Sequence, residues 1–268
     1  MLGAEAGAHQ HRLLAQRLDE LAPDVVCLQE ARRPLVCRLR RRVPALVSAT
    51  FVSKRRERRP PWMQEGLATI AARHAKPARG HDLDGGRRVA VESVHDVGGA
   101  RVHVFNVHFH TEAVERARNV VILADLCARR RAEGGTPIVV GDLNTKPRAA
   151  EHPDRAYDAL RAAGFVDAFA LDHPDAADHE CCPGVAGTSP TVDECVRCGY
   201  TNWHDARHPS GRVGPPHQRL DYVLVPDDGS VEVLDVFTPR PNDAAFDGYR
   251  PISDHLPVIA DLRVASRR

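Results

Sequence analysis

This 268-residue chain is short of aromatic residues (5%), nearly without net charge (+1), and holds no apolar run close to the roughly 20 residues that a membrane-spanning helix needs. Each shortage excludes something. Few aromatic rings leave few platforms on which single strands or flipped bases could stack. A near-neutral charge lacks the basic excess usual in proteins that grip many phosphates, so nucleic acid is not the favoured partner. The first thirty residues lack a basic start followed by an apolar stretch, so no secretory signal is visible and a cytoplasmic location is expected. No repeat or low-complexity linker divides the chain, which is expected to form one domain over 1–268 and to act as a monomer.

What is present is a globular composition, 43% hydrophobic and 27% charged, enough to bury a core without disulfides. Arginine is unevenly spread. Arg32, Arg33, Arg38, Arg40, Arg41 and Arg42 cluster, as do Lys54, Arg55, Arg56, Arg58 and Arg59. Such runs read first as a solvated face, and alternatively as a patch that steers an anion.

Leu14, Leu18 and Leu21 recur at helical spacing and stop at Pro23. Short apolar strands are expected at Val25–Leu28, Leu67–Ala72, Arg87–Val94, Pro137–Val140, Arg219–Val225 and Pro257–Leu262. Arg101–His110 alternates, which places Val102, Val104, Asn106, His108 and His110 on one face. A helix from Thr111 to about Arg131 is expected to bury Ala113, Ala117, Val120, Val121 and Ala124, and a shorter one spans Arg155–Ala163. From Leu171 to Gln218 the chain is irregular and rich in Pro, Gly, His and Cys, the composition of a long loop insertion (171–218). The alternation implies an α/β fold with a mixed sheet.

Polar residues gather at strand ends in Leu28-Gln29-Glu30, Glu65-Gly66-Leu67-Ala68, Asn106-Val107-His108, Gly141-Asp142-Leu143-Asn144, Arg219-Leu220-Asp221-Tyr222 and Ser253-Asp254-His255. Singly, each is an ordinary cap or surface group. Together they are the inventory for cleaving a phosphate ester. Glu30, Asp142, Asp221 and Asp254 offer hard oxygens for a cation, and His108, His255, Asn106 and Asn144 offer donors for phosphoryl oxygens. Asp142 and Asn144, two residues apart, share a face if the backbone is extended.

In this order the segments resemble those of the endonuclease/exonuclease/phosphatase superfamily, the DNase I-like fold, over about Asp24–Leu262. The resemblance implies a four-layer α/β/β/α sandwich and a magnesium- or manganese-dependent hydrolase acting on a phosphate ester, most simply a phosphodiester of a lipid head group, nucleic acid or small metabolite. It implies Glu30 and Asp254 on the metal side, Asp142 positioning or deprotonating the attacking water, and Asn144, Asn106 and His108 contacting substrate. It further implies His255 as base or stabiliser with Asp221 orienting it, and Glu65 as partner of His108.

The family's usual first strand has no counterpart before the opening helix, so either the natural chain starts upstream or this member has lost a strand. A non-catalytic member that binds a phospho-ligand or a protein is the alternative. Of seven cysteines, Cys27, Cys37 and Cys127 are expected in the core. Cys181, Cys182, Cys195 and Cys198 share the irregular loop with His179, His204 and His208, which leaves open a structural zinc, one or two disulfides, or free thiols.

Overall fold

A computed structural model of the chain describes residues 4–54, 60–73, 76–84, 87–145, 156–174, 201, 219–238, 253 and 255–266. The chain opens with helix α1 (Ala4–Leu21), strand β1 (Val25–Arg32), helix α2 (Arg33–Arg42), and strands β2 (Ser48–Ser53) and β3 (Glu65–Ala71). Strands β4 (Lys76–Asp82), β5 (Val89–Val97) and β6 (Ala100–His108) follow, then helix α3 (Ala113–Ala132) and strand β7 (Thr136–Asp142). Helix α4 (Ala156–Ala162), strand β8 (Phe165–Asp167), helix α5 (Ala168–Asp172) and strands β9 (Asp221–Pro226), β10 (Val231–Phe237) and β11 (Ile259–Val264) complete it.

Six strands form one sheet in the order β4-β5-β6-β7-β9-β8, in which β6 and β7 run parallel. Facing it are the sheet β1-β3-β2 and the ribbon β10-β11. Alternation along β6 sets which residues face which layer. Val102 and Val104 meet Val223, Val225, Val231 and Val236 between the sheets, with Val25 and Cys27 of β1 packed against them. Phe105 and Val107 point the other way, into a core with Leu123, Leu126 and Cys127 of α3 and Leu160 of α4. On the far side, Ala15 and Leu18 of α1 and Val36 and Leu39 of α2 cover Ala68 and Ile70 of β3. The order is helix, sheet, sheet, helix: the α/β/β/α sandwich.

Several expectations need correction. The buried stripe of α3 is Arg116, Asn119, Val120, Leu123, Leu126 and Cys127; Ala117 and Val121 are exposed. Two polar residues sit on that stripe because each serves backbone groups. Arg116 Nη1 donates to the carbonyls of His110 (2.9 Å) and Thr111 (2.6 Å). Asn119 Nδ2 donates to Leu83 O (3.0 Å), and its Oδ1 accepts from His110 N (3.0 Å). The first arginine cluster lies on and beside α2, where Pro34 starts the helix and Arg40, Arg41 and Arg42 occupy its last turn, a favourable end for cations. Cys37, on the same helix, is exposed; Cys27 is partly buried and Cys127 buried, all three as free thiols. No described helix is long and apolar enough to cross a membrane.

Candidate active site

Three of the polar strand ends are brought into one row by strand pairing. His108 of β6 stands opposite Asp142 of β7, and Asp142 stands opposite Asp221 of β9. Directly paired residues point to the same face, so the row is built by the backbone before any side chain interacts. The strand ends are tied together further on: Phe109 N donates to Asp142 O (2.9 Å) and Leu143 N to Leu220 O (2.8 Å).

His255 approaches the row from the segment before β11. Its Nδ1 lies 2.7 Å from Asp221 Oδ2. One oxygen or ring nitrogen from each of Asp142, Asp221 and His255 falls within a 4.8 Å span. The second support of Asp221 is Thr201, which is fully buried and donates its hydroxyl to Asp221 Oδ2 at 2.5 Å. The same hydroxyl oxygen accepts from Leu220 N and Asp221 N, both at 3.3 Å. Leu256 N donates to Thr201 O (2.7 Å), so this residue also fixes the segment that carries His255. Arg219 of the Arg-Leu-Asp-Tyr run plays a supporting part beneath: its Nη2 pairs with buried Asp167 at 2.7 Å and its guanidinium stacks on Phe169 and Tyr222.

Burial sets the charges. Asp142 is 7% exposed, and loss of water, then the charge of Asp221, push its carboxyl up to about 7. His108 is driven well below its ordinary value, first by burial and then by the charges of Arg88, Lys54, His255 and His110. Its Nε2 lies 3.5 Å from Asp142 Oδ2, while its buried Nδ1 has no partner. Near neutrality the row therefore holds a neutral imidazole beside a carboxyl poised between its two states.

Asn144 is placed differently from the extended arrangement expected. It sits at φ +49°, and its backbone N–H donates to Asp142 Oδ1 (2.8 Å), a turn that aspartate side chains favour. Asn144 Nδ2 donates to Phe109 O (3.0 Å), leaving the amide's second N–H and its oxygen for other use. Asn106 is placed differently again. It is fully buried; its Oδ1 accepts from Gln29 Nε2 (2.8 Å) and its Nδ2 donates to Ala68 O (2.9 Å) and Leu28 O (3.3 Å). That amide joins the two sheets and faces no cleft.

Glu30 comes from the opposite sheet. Leu28 pairs with Ala68 and Ala31 with Gly66, so Gln29 and Glu30 together oppose Leu67 in a β-bulge. Glu30 takes φ +51°, a conformation that costs a non-glycine residue about 1–2 kcal/mol. The bulge lets Gln29 reach inward to Asn106 while the Glu30 side chain stays 59% exposed. Lys54 Nζ lies 3.7 Å from Glu30 Oε1 and 3.3 Å from Glu65 Oε2. Glu65 thus has Lys54 as a partner, and the carboxylate beside His108 is that of Asp142. The ammonium between Glu30 and Glu65 stands where a positive charge is wanted, which fits a hard cation held through carboxylate oxygen.

The model of the Endonuclease/Exonuclease/phosphatase family matches residues 2–255. The chain belongs to this family. Solved structures agree on the fold. An endonuclease/exonuclease/phosphatase from Beutenbergia cavernae is 20% identical with a TM-score of 0.69, covering 95% of this chain and 66% of its own. The human Nocturnin catalytic domain with bound sulfate is 17% identical with a TM-score of 0.66, covering 96% of this chain and 87% of its own. A humanized D. rerio TDP2 is 14% identical with a TM-score of 0.65, covering 98% of this chain and 94% of its own. No curated protein sequence matches the chain. The DNase I-like sandwich is therefore the fold, and members of the family are generally phosphoesterases that typically use a divalent metal.

Asp254, the cysteines Cys181, Cys182, Cys195 and Cys198, and the histidines His179, His204 and His208 lie outside the described residues. Two residues of the site carry no sequence signal of their own. Thr201 stands in a part of the sequence without apolar periodicity, and Arg88, whose charge reaches Asp142 and His108, follows a Gly-Gly pair and another arginine like many surface arginines.

Proposed function

We propose that this chain hydrolyses a phosphate ester, most simply a phosphodiester, with the help of magnesium or manganese. The observation that carries the reading is the row His108–Asp142–Asp221 with His255 on Asp221, in which burial brings one carboxyl, Asp142, to about 7. A group tuned near the working pH is the most effective proton acceptor. Asp142 takes a proton from water as the water oxygen bonds phosphorus and the bond to the leaving oxygen breaks. Asp221 and Thr201 hold the His255 ring through Nδ1, so its chemistry runs through Nε2, toward the phosphoryl group. Neutral His108 and the unused amide groups of Asn144 orient the water and one phosphoryl oxygen. Glu30, with Asp254 as the family resemblance implies, would hold the metal, which supplies positive charge to the phosphoryl oxygens when bound.

The test is hydrolysis of bis-p-nitrophenyl phosphate with magnesium or with chelator, for the wild type, Asp142→Asn and Glu30→Gln. Turnover that needs the metal and falls at least about a hundredfold in both variants is expected. Turnover unaffected by chelator or by Asp142→Asn would sink the reading.

A further inference from the structure

Among the described residues, every buried or half-buried arginine except Arg88 spends at least part of its guanidinium on a hydrogen bond or ion pair, although single nitrogens of Arg131 and Arg219 are also buried without a partner. Arg17 binds Glu20, Arg116 binds the carbonyls of His110 and Thr111, and Arg130 binds Glu92. Arg131 binds the carbonyls of Ala163 and Gly164, and Arg219 binds Asp167. Arg88 is half-buried and its Nη1 is shielded from water, yet that nitrogen has no partner. Among the described residues its guanidinium makes no hydrogen bond and no ion pair at all. A guanidinium carries five N–H donors, and hiding a charged donor without a partner is costly, so residues of this kind usually have a reason to be kept.

The position is built, not accidental. Arg88 lies just before β5, and its backbone is pinned from both sides. Its N–H donates to Asp84 Oδ1 (2.8 Å), which also accepts from Arg87 N (2.7 Å), and its carbonyl accepts from Leu83 N (3.0 Å). From there its charge acts on Asp142, Glu30, Asp84 and Glu65, and on His108. These are groups from both walls of the cleft. A rigidly based, unspent planar fork in that place can donate to two oxygens of a tetrahedral phosphoryl anion at once, which an ammonium does less well.

We infer that Arg88 is the anion anchor of the cleft, its guanidinium donating to non-bridging oxygens of the substrate's phosphoryl group. The inference rests on the phosphoesterase reading for its substrate but not for its test. Inorganic phosphate, the simplest anion of that class, is titrated calorimetrically into the full chain with magnesium present, for wild type, Arg88→Lys and Arg88→Met. Phosphate affinity is expected to fall about tenfold or more in Arg88→Met and less in Arg88→Lys, with melting temperatures within a few degrees of wild type. In hydrolysis of bis-p-nitrophenyl phosphate the loss falls on KM at least as heavily as on kcat. A merely structural arginine would lower the melting temperature and leave phosphate affinity alone, and that result overturns the inference, as does a wild type that binds no phosphate. Should Arg88→Met fail to fold, unchanged phosphate affinity in Arg88→Lys overturns it equally. Arg88-dependent phosphate binding without ester hydrolysis would keep the anchor and discard the proposed reaction; hydrolysis with Arg88-independent phosphate binding would do the reverse.

Discussion

Above neutral pH and without a divalent cation, the folded protein must keep the Asp142 carboxylate ionised although it is 7% exposed and next to Asp221. Its folded value of about 7 stands above the ordinary 3.8, so the folded state holds this proton more tightly than the unfolded chain. The stability tied to that proton is complete below about 3.8, declines as pH rises, and is gone above about 7. Asp142→Asn removes the titration, keeps the shape, and retains an oxygen to accept from Asn144 N. Each unit of the window is worth about 1.4 kcal/mol. Between pH 5 and pH 8 the variant should therefore gain about 2–3 kcal/mol on the wild type. Spread over the unfolding entropy of a chain this long, that is a relative rise in melting temperature of about 4–5 °C. The assay is thermal unfolding of both proteins in chelator at the two pH values, beside hydrolysis with magnesium, where the variant should be inactive. A melting difference that is the same at both pH values, or that favours the wild type at pH 8, would refute the reasoning. It would mean that Arg88, His255 and Asn144 fully compensate the ionised carboxylate.

Two further outcomes follow from polar groups buried at known distances. Thr201→Val should lower kcat about tenfold and cost about 1–3 kcal/mol in denaturant unfolding, since it strips one hydroxyl from Asp221 Oδ2 and from two backbone N–H groups. Thr201→Ser should restore both, and failure of that rescue would tell against the hydroxyl. Glu92 is 3% exposed and receives His81 (2.7 Å), His103 (2.6 Å) and Arg130 (2.5 and 2.9 Å). Glu92→Gln should cost about 3 kcal/mol or more in denaturant unfolding while kcat per folded molecule stays the same, because an arginine is left half-paired far along β5 from the site. A small change in the denaturation midpoint would show that the network is dispensable.

How much of this was readable beforehand depended on where chemistry and pattern coincide. Glu30, His108, Asp142, Asp221 and His255 each sit at the end of an apolar run, so both the strand and its polar terminus stand out. The backbone detail around them does not. The bulge that separates Gln29 from Glu30 and the turn that folds Asn144 back on Asp142 arise from contacts with Leu67 and with the aspartate itself, not from periodicity. Asn106 alternates in step with His108, yet contacts with Gln29 and Ala68, distant in sequence, commit it to the interior. Strand β4, Lys-Pro-Ala-Arg-Gly-His-Asp, has almost no apolar content and exists through its pairing with β5. Helix α2 offers only Leu, Val and a second Leu among arginines, too thin a stripe to announce itself. Strand β10, Val231–Phe237, has no counterpart among the expected strands, although Val231-Glu232-Val233 alternates.

The amide pair Gln29–Asn106 sets a limit on how this protein can change. It rivets one sheet to the other one residue away from Glu30 and two from His108, and a side chain at Gly141 would collide with Val107 O and crowd Gln29. The spacing of the two walls is thus held from within, beneath the floor of the cleft. Segments around the rim can lengthen, shorten or trade residues without altering that gap. On the phosphoesterase reading proposed above, preference for one ester over another is then free to drift at the mouth, while the machinery below keeps its dimensions.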